Sequence, residues 1–337
     1  MHFFIQWDAT NNCNLRCSHC YHNSEETPLD IMSDDEAIRM IDDLVSCCSR
    51  WGFNSPSLHY SGGEPLLRES LFEIADYGNK KGLRQKILTN GTLMTREIAK
   101  KLVGVGIDRA QISIDGDRET HNKIRGFSWA YDKAMDGVTN ATLEGMDINT
   151  STTLMQSNKN QMEDIIINSY KAGASKVAFQ SLVPTSIDDL EFIGANEVHK
   201  IYKEIHNLRE KYKDKILVLE TEVLWNILHP TTIIKERSRE MDKYGGGCSA
   251  GFNSLSVLSD GTVYPCRRLP VNIGHISEGI SKLFMESEIM DNLRDYHNIK
   301  GCGDCEMVTY CRGCRAIAYA VTGDYMGKDP MCFKDGS

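Results

Sequence analysis

The feature that most constrains this chain is strict alternation. Six short apolar runs, at 3–7, 58–60, 85–88, 109–114, 148–154 and 176–182, read as strands. Between them, 33–50, 67–81, 95–105, 129–143 and 161–172 carry apolar residues at helical spacing. A run of Ser33-Asp34-Asp35-Glu36 predicts a capping-box helix start, and Gly106 and Gly173 predict helix stops. Strands that alternate with helices must lie parallel, joined by right-handed crossovers, so an α/β fold is expected. Six units are two short of the eight that close a full α/β barrel.

Past about residue 185 the pattern changes. A polar stretch and a long helix at about 196–212 lead into a Gly- and Cys-rich tail that holds seven of the twelve cysteines. The division expected is 1–185 for the alternating unit, 186–245 as a bridge, and 246–337 as a smaller second domain. A net charge of −9 with no Lys/Arg run argues against nucleic acid as a partner. No apolar run approaches the roughly 20 residues that span a bilayer, and no secretory signal precedes the first strand. The expectation is a cytoplasmic protein whose thiols serve metal ligation rather than disulfides. Cys47 and Cys48 lie on a predicted helix at no ligand spacing and are expected to be buried packing residues.

Cys13, Cys17 and Cys20 follow the first strand directly, at the rim where α/β barrels keep their chemistry. Three thiolates in one tight loop can hold a [4Fe-4S] cluster with one iron open, and His19 or His22 would instead complete a four-ligand zinc site. In the tail, Cys302/Cys305 and Cys311/Cys314 are two CxxC pairs of the kind a zinc ribbon uses, but Cys248, Cys266 and Cys332 exceed one tetrahedral site.

The loop from Cys13 to Cys20 resembles that of radical S-adenosylmethionine (SAM) enzymes. The likeness extends, in order, to Gly62-Gly63-Glu64-Pro65 after the second strand, to Ser113 and Asp115 at the end of the fourth, and to Arg125 beyond it. It implies a partial (β/α)6 radical SAM barrel over about 1–185. The three cysteines would hold a [4Fe-4S] cluster whose open iron takes the methionine end of SAM. His19 and Gln180 would flank the adenine, Gly62 to Glu64 would receive the ammonium, Ser113 and Asp115 the ribose, and Arg125 the carboxylate. Reductive cleavage of SAM then yields a 5′-deoxyadenosyl radical that abstracts a substrate hydrogen. The tail resembles the SPASM domain with its two auxiliary [4Fe-4S] clusters. The likeness assigns Cys248, Cys266 and Cys314 to one and Cys302, Cys305, Cys311 and Cys332 to the other, three clusters in all. Two residues separate Cys311 from Cys314 where the family usually has three, and 249–254 lacks a further cysteine that some relatives carry there.

SPASM relatives mostly modify ribosomally made peptides or proteins, so oxidative modification or cross-linking of such a substrate is the leading expectation. Work on a haem precursor or redox-cofactor intermediate is the alternative, and an iron-sulfur electron carrier the non-enzyme one. Arg267 and Arg268 follow Cys266 where sulfatase-maturating relatives carry an aspartate, which argues against that activity. The first strand begins at residue 3, so leader-peptide recognition is expected to fall to a separate protein or to 186–245. Ferredoxin or flavodoxin is the expected electron donor. No residue stands out as a catalytic base.

Overall fold

A computed structural model describes residues 2–21, 31–184, 189–228 and 247–334. All six expected strands form: β1 (His2–Thr10), β2 (Ser55–Gly62), β3 (Arg84–Thr89), β4 (Arg109–Ser113), β5 (Asp147–Leu154) and β6 (Lys176–Ser181). Each lies parallel to the next in chain order. The intervening helices are α1 (Asp34–Trp51), α2 (Leu71–Lys80), α3 (Arg96–Gly104), α4 (Arg118–Arg125), α5 (Ala130–Leu143) and α6 (Met162–Lys171), followed by α7 (Ala195–Tyr212). Three shorter helices complete the tail: α8 (Ile280–Met285), α9 (Glu288–Arg294) and α10 (Arg315–Thr322).

Local chemistry accounts for most boundaries. Ser33 Oγ accepts from the Glu36 amide at 3.3 Å while Glu36 accepts from the Ser33 amide at 2.8 Å, the reciprocal box that starts α1. Cys47 and Cys48 are buried on this helix. The second helix begins at Leu71 rather than 67 because Arg68 is pulled inward. Its guanidinium donates to Ala9 O, Met32 O and Asp34 and lies 4.9 Å from the Trp7 ring. Immediately before Arg68, the chain makes a 3-10 turn at Pro65–Leu67.

The sheet is wider than the alternation predicts. From the expected bridge, β7 (Leu217–Leu219) adds in parallel to β6. From the tail, β8 (Ser254–Val257) adds in parallel to the other side of β1, with β9 (Thr262–Tyr264) and β10 (Gly274–His275) antiparallel beyond it. The ten strands run β10-β9-β8-β1-β2-β3-β4-β5-β6-β7, so one hydrogen-bonded sheet carries both the first cysteine loop and the tail. Strands of two to four residues are too short to show a period.

The two faces of this sheet differ. Phe3, Ile5, Trp7, Leu58, Tyr60, Ile87 and Ile112 are fully buried on the helix-covered face, where Phe3 packs edge-on against Trp51 of α1. The other face is polar: the registers Gln6↔His59↔Lys86 and Gln111↔Asn149↔Lys176 run straight across it. Parallel strands covered on both faces are normally apolar on both. A polar inner face marks a sheet that curves around a cavity.

Candidate functional site

The first cysteine loop leaves the C-terminal end of β1 and is pinned from two sides. Helix α4 holds it through Ser18 N to Ile124 O at 2.9 Å and Arg16 N to Arg125 O at 3.4 Å. Gly126, which caps α4 at φ +83°, lies so close that a Cβ there would stand 2.6 Å from Arg16 O. On the other side Gly63 N donates to Thr10 O at 2.8 Å and Glu64 N to Asn12 O at 2.7 Å. A Cβ on Gly62 would meet Thr10 O at 2.3 Å and one on Gly63 would meet Asn12 O at 2.2 Å. The glycine pair exists because backbone lies against backbone here. Within the loop Cys13, Cys17 and Cys20 interact electrostatically, and burial raises the Cys13 thiol above its ordinary value.

Above the loop and the strand ends lies a cavity of about 930 Å³. On its wall are Cys13, Cys17, Cys20 and His19, then Gly62 and Gly63, and further round Ser113, Arg125 and Gln180. Burial lowers the His19 imidazole to about 4, so it is neutral near pH 7, and its Nδ1 is buried without a hydrogen-bond partner among the described residues. His22 lies outside those residues.

Three expected contacts stand behind the wall rather than on it. Glu64 is fully buried, its carboxylate accepting from Thr89 Oγ1 at 2.7 Å, Asn90 N at 2.9 Å and Leu66 N at 3.3 Å. Burial pushes that carboxyl up to about 7 against these donors. It ties the glycine loop to the end of β3, and the buried Pro65 opens the turn that follows. Asp115 is fully buried beneath Arg125, whose Nη2 is 2.5 Å from Asp115 Oδ2, while Oδ1 accepts from Thr153 N at 3.0 Å. Burial works to raise the Asp115 carboxyl, and Arg125, His19 and His121 outweigh it, holding it below the usual carboxylate range. Glu64 and Asp115, expected at the ammonium and the ribose, are thus both fully buried and stand outside the cavity lining, each bonded to residues at the wall. Arg125 also reaches Cys17 Sγ at 3.6 Å, and its Nε is buried without a hydrogen-bond partner among the described residues.

Sequence reasoning missed several polar groups on the same wall: Thr89 at the end of β3 and Asn90 after it, Gln111 on β4, and Ser151 and Thr153 on β5. The signal was present. Gln111 and Ser113, like Ser151 and Thr153, are two apart in strands, which places each pair on one face. Arg267 and Arg268 of the tail also line this cavity.

The seven tail cysteines fall into two electrostatic neighbourhoods. Cys248 interacts with both Cys266 and Cys314, and Cys302 with Cys305, Cys332 and Cys311. Cys311 and Cys314 part company because the two residues between them are both left-handed, Arg312 at φ +61° and Gly313 at φ +60°. The buried Arg312 guanidinium sits 3.8 Å from the Phe252 ring centroid, which holds an arginine where glycine would be the easier choice. Asp329 fixes the turn, accepting from Cys314 N at 2.6 Å and Met331 N at 2.9 Å. Among the described residues no three His, Cys, Asp or Glu side chains converge on a point that would hold a single ion. Cluster ligation, with each thiolate on its own iron, asks for no such convergence. Three cysteine sets and orphaned polar atoms on His19 and Arg125 fit SAM and iron-sulfur clusters.

Residues 7–167 match the family model of the radical SAM superfamily, and 248–315 match that of the SPASM iron-sulfur cluster-binding domain. The chain belongs to the radical SAM superfamily. It is an enzyme of the SPASM-bearing branch, dependent on SAM and iron-sulfur clusters. An AdoMet-dependent heme synthase from Methanosarcina barkeri is 33% identical over 97% of this chain and 95% of its own length. A Fe-coproporphyrin III synthase from the same organism is 30% identical over 98% and 87%. The mycofactocin maturase MftC of Mycolicibacterium smegmatis stands at 25% over 97% and 82%. Among solved structures, native anSMEcpe with bound AdoMet superposes with a TM-score of 0.76 at 19% identity, covering 98% of this chain and 93% of that one, a likeness of fold. No described helix is long and apolar enough to cross a membrane.

Proposed function

We propose that this radical SAM enzyme modifies a haem precursor. The observation that carries the reading is whole-length similarity at 33% to a haem synthase, against 25% for a peptide maturase. Peptide modification, the leading expectation from sequence, gives way to its alternative on that ground.

Cys13, Cys17 and Cys20 hold the SAM-binding cluster, Cys248, Cys266 and Cys314 a second, and Cys302, Cys305, Cys311 and Cys332 a third. Bound SAM and cluster together supply hydrogen-atom abstraction from the substrate. The protein's own part is placement. Gly62 and Gly63 line the methionine side without a side chain to block it, and Arg125, oriented by Asp115, offers its fork to the carboxylate. Neutral His19 and Gln180 line the adenine side, and Ser113 the ribose side. A small electron carrier such as ferredoxin or flavodoxin delivers the reducing electron.

The test is anaerobic reconstitution followed by incubation with SAM, reductant and either Fe-coproporphyrin III or a mixture of short Cys- and Gly-rich peptides. The expected protein holds on the order of 12 iron atoms. Formation of 5′-deoxyadenosine should rise with the iron porphyrin, alongside a mass change in the porphyrin. A rise with peptide alone would return the assignment to peptide modification, and about 4 irons with zinc in the tail would remove the auxiliary clusters.

A further inference from the structure

Two adjacent arginines on the cavity wall are given no part by the SAM site. Arg267 is buried to 9% exposure and ion-paired through Nε with Asp8, which is itself fully buried and accepts from Ser61 Oγ at 2.9 Å. The Arg267 guanidinium also lies 4.5 Å from the Tyr21 ring centroid. It is held rigidly at the ends of β1 and β2, beside the first cysteine loop. Arg268 is less committed. Its Nη1 donates to Ser181 O at 3.0 Å at the end of β6, and Glu222 stands 4.0 Å away, outside hydrogen-bond distance. Among the described residues one of its five N–H donors therefore has a hydrogen-bond acceptor, and its side chain is 28% exposed, on the cavity side.

The same wall carries a largely apolar stretch. Ala316, Tyr319 and Ala320 of α10 and its capping Gly323 all line the cavity, and the spacing of i, i+3 and i+4 puts the first three on one face of the helix. Three of the four are small, so a planar surface can approach the helix closely. Leu182, Val183, Pro184 and Pro270 add further apolar lining.

We propose that Arg268, steadied by its neighbour Arg267, anchors a carboxylate of a large flat substrate whose apolar face lies along α10. The inference rests on the haem-precursor reading and deepens it: the ligand class is a planar macrocycle carrying carboxylate side chains. A guanidinium with most of its donors open is built for two-point contact with a carboxylate. The competing role for Arg268 is purely to balance Glu222 and the thiolates of Cys266 and Cys314, which surround it.

The two roles separate in a binding measurement that needs no turnover. The probes are Fe-coproporphyrin III and its methyl ester, titrated by visible absorbance into anaerobically reconstituted enzyme of the native sequence and of the Arg268→Gln and Arg268→Lys variants. Iron content and SAM affinity serve as controls in each. The native enzyme should prefer the acid over the ester by at least about tenfold. That preference should vanish in Arg268→Gln and be partly kept in Arg268→Lys. Because the comparison is between two ligands on one protein, a variant with reduced iron still reports on it. Preference for the acid that survives in Arg268→Gln overturns this inference and leaves the haem-precursor reading standing. Failure of the native enzyme to bind either probe overturns both.

Discussion

Adding one methyl group at Gly63 tests the backbone contact on which the site depends. In Gly63→Ala the new Cβ would fall 2.2 Å from Asn12 O and 2.6 Å from Asn11 O, both backbone atoms of the segment that leads into Cys13. Cβ atoms essentially never come nearer than 3.0 Å, so the segment must retreat by about 0.8 Å, the difference between 3.0 and 2.2. Overpacking of this kind typically costs about 1–3 kcal/mol. The retreat also stretches the hydrogen bonds from Gly63 N to Thr10 O and Glu64 N to Asn12 O, each worth about 0.5–1.5 kcal/mol net. A loss of about 2–4 kcal/mol is expected in urea unfolding of the iron-free protein, with the midpoint falling at constant slope. After reconstitution, SAM affinity should drop further than stability alone explains, because the displaced residues adjoin the first thiolate. Gly104→Ala is the matched control: this glycine closes α3 with nothing within 4 Å of its Cβ position, so Ala should be neutral or stabilise by up to about 1 kcal/mol. A Gly63→Ala protein that unfolds within about 0.5 kcal/mol of the native sequence and binds SAM normally would refute the reasoning.

Three further outcomes are expected. Asp115→Asn and Arg125→Gln should each destabilise by about 3–5 kcal/mol, since each strands a buried charge, while the double variant costs well under their sum; additive losses in urea unfolding would count against a coupled pair. Stability should fall in acid through His59, which stacks on Phe4 beside Lys86 and His2 and whose imidazole burial lowers to about 3. The folded state keeps His59 neutral while the unfolded chain takes up a proton below about 6.5. This contribution is therefore complete above pH 6.5 and is lost as pH falls toward 3, by up to about 1.4 kcal/mol per pH unit. His59→Gln should show a correspondingly flatter decline in urea midpoint between pH 7 and pH 5, and an unchanged slope would dismiss the assignment. Finally, Cys248→Ala and Cys314→Ala should produce the same change in the electron paramagnetic resonance spectrum, distinct from that of Cys311→Ala, although Cys311 and Cys314 are three positions apart; matching spectra for Cys311→Ala and Cys314→Ala would place those two thiols on one cluster.

Local signals carried the alternating core a long way. Period-two strands, period-3.6 helices, the Ser33–Glu36 box and the glycine stops at 106 and 173 are effects among residues a few positions apart, so a linear reading reaches them. The cysteine loop and the glycine pair were legible for a similar reason: special chemistry at fixed spacing has few uses. Helix α4 was not, because eight mostly polar residues carry too little apolar pattern, yet it places Arg125 beneath the cysteine loop. Nor were β7 to β10, which are too short to carry a period; β7 joins β6 across some 40 positions and β8 joins β1 across some 250, while β9 and β10 pair with near neighbours in sequence.

Burial is what tertiary structure alone decided at the site. From sequence, Glu64, Asp115 and Arg125 are equivalent charged residues near strand ends. Folded, the two carboxylates are sealed behind the wall and the guanidinium stands on it, since only one of the three faces a cavity once β3, β4 and α4 have closed around the others. The same closure turned Arg267 and Arg268 from a departure in the tail into part of the wall facing the first cysteine loop. Sequence spacing determined which thiols can share a cluster with their near neighbours. It took the two successive left-handed residues between Cys311 and Cys314 to send those thiols to different neighbourhoods, because backbone handedness, unlike spacing, is set by what packs around it.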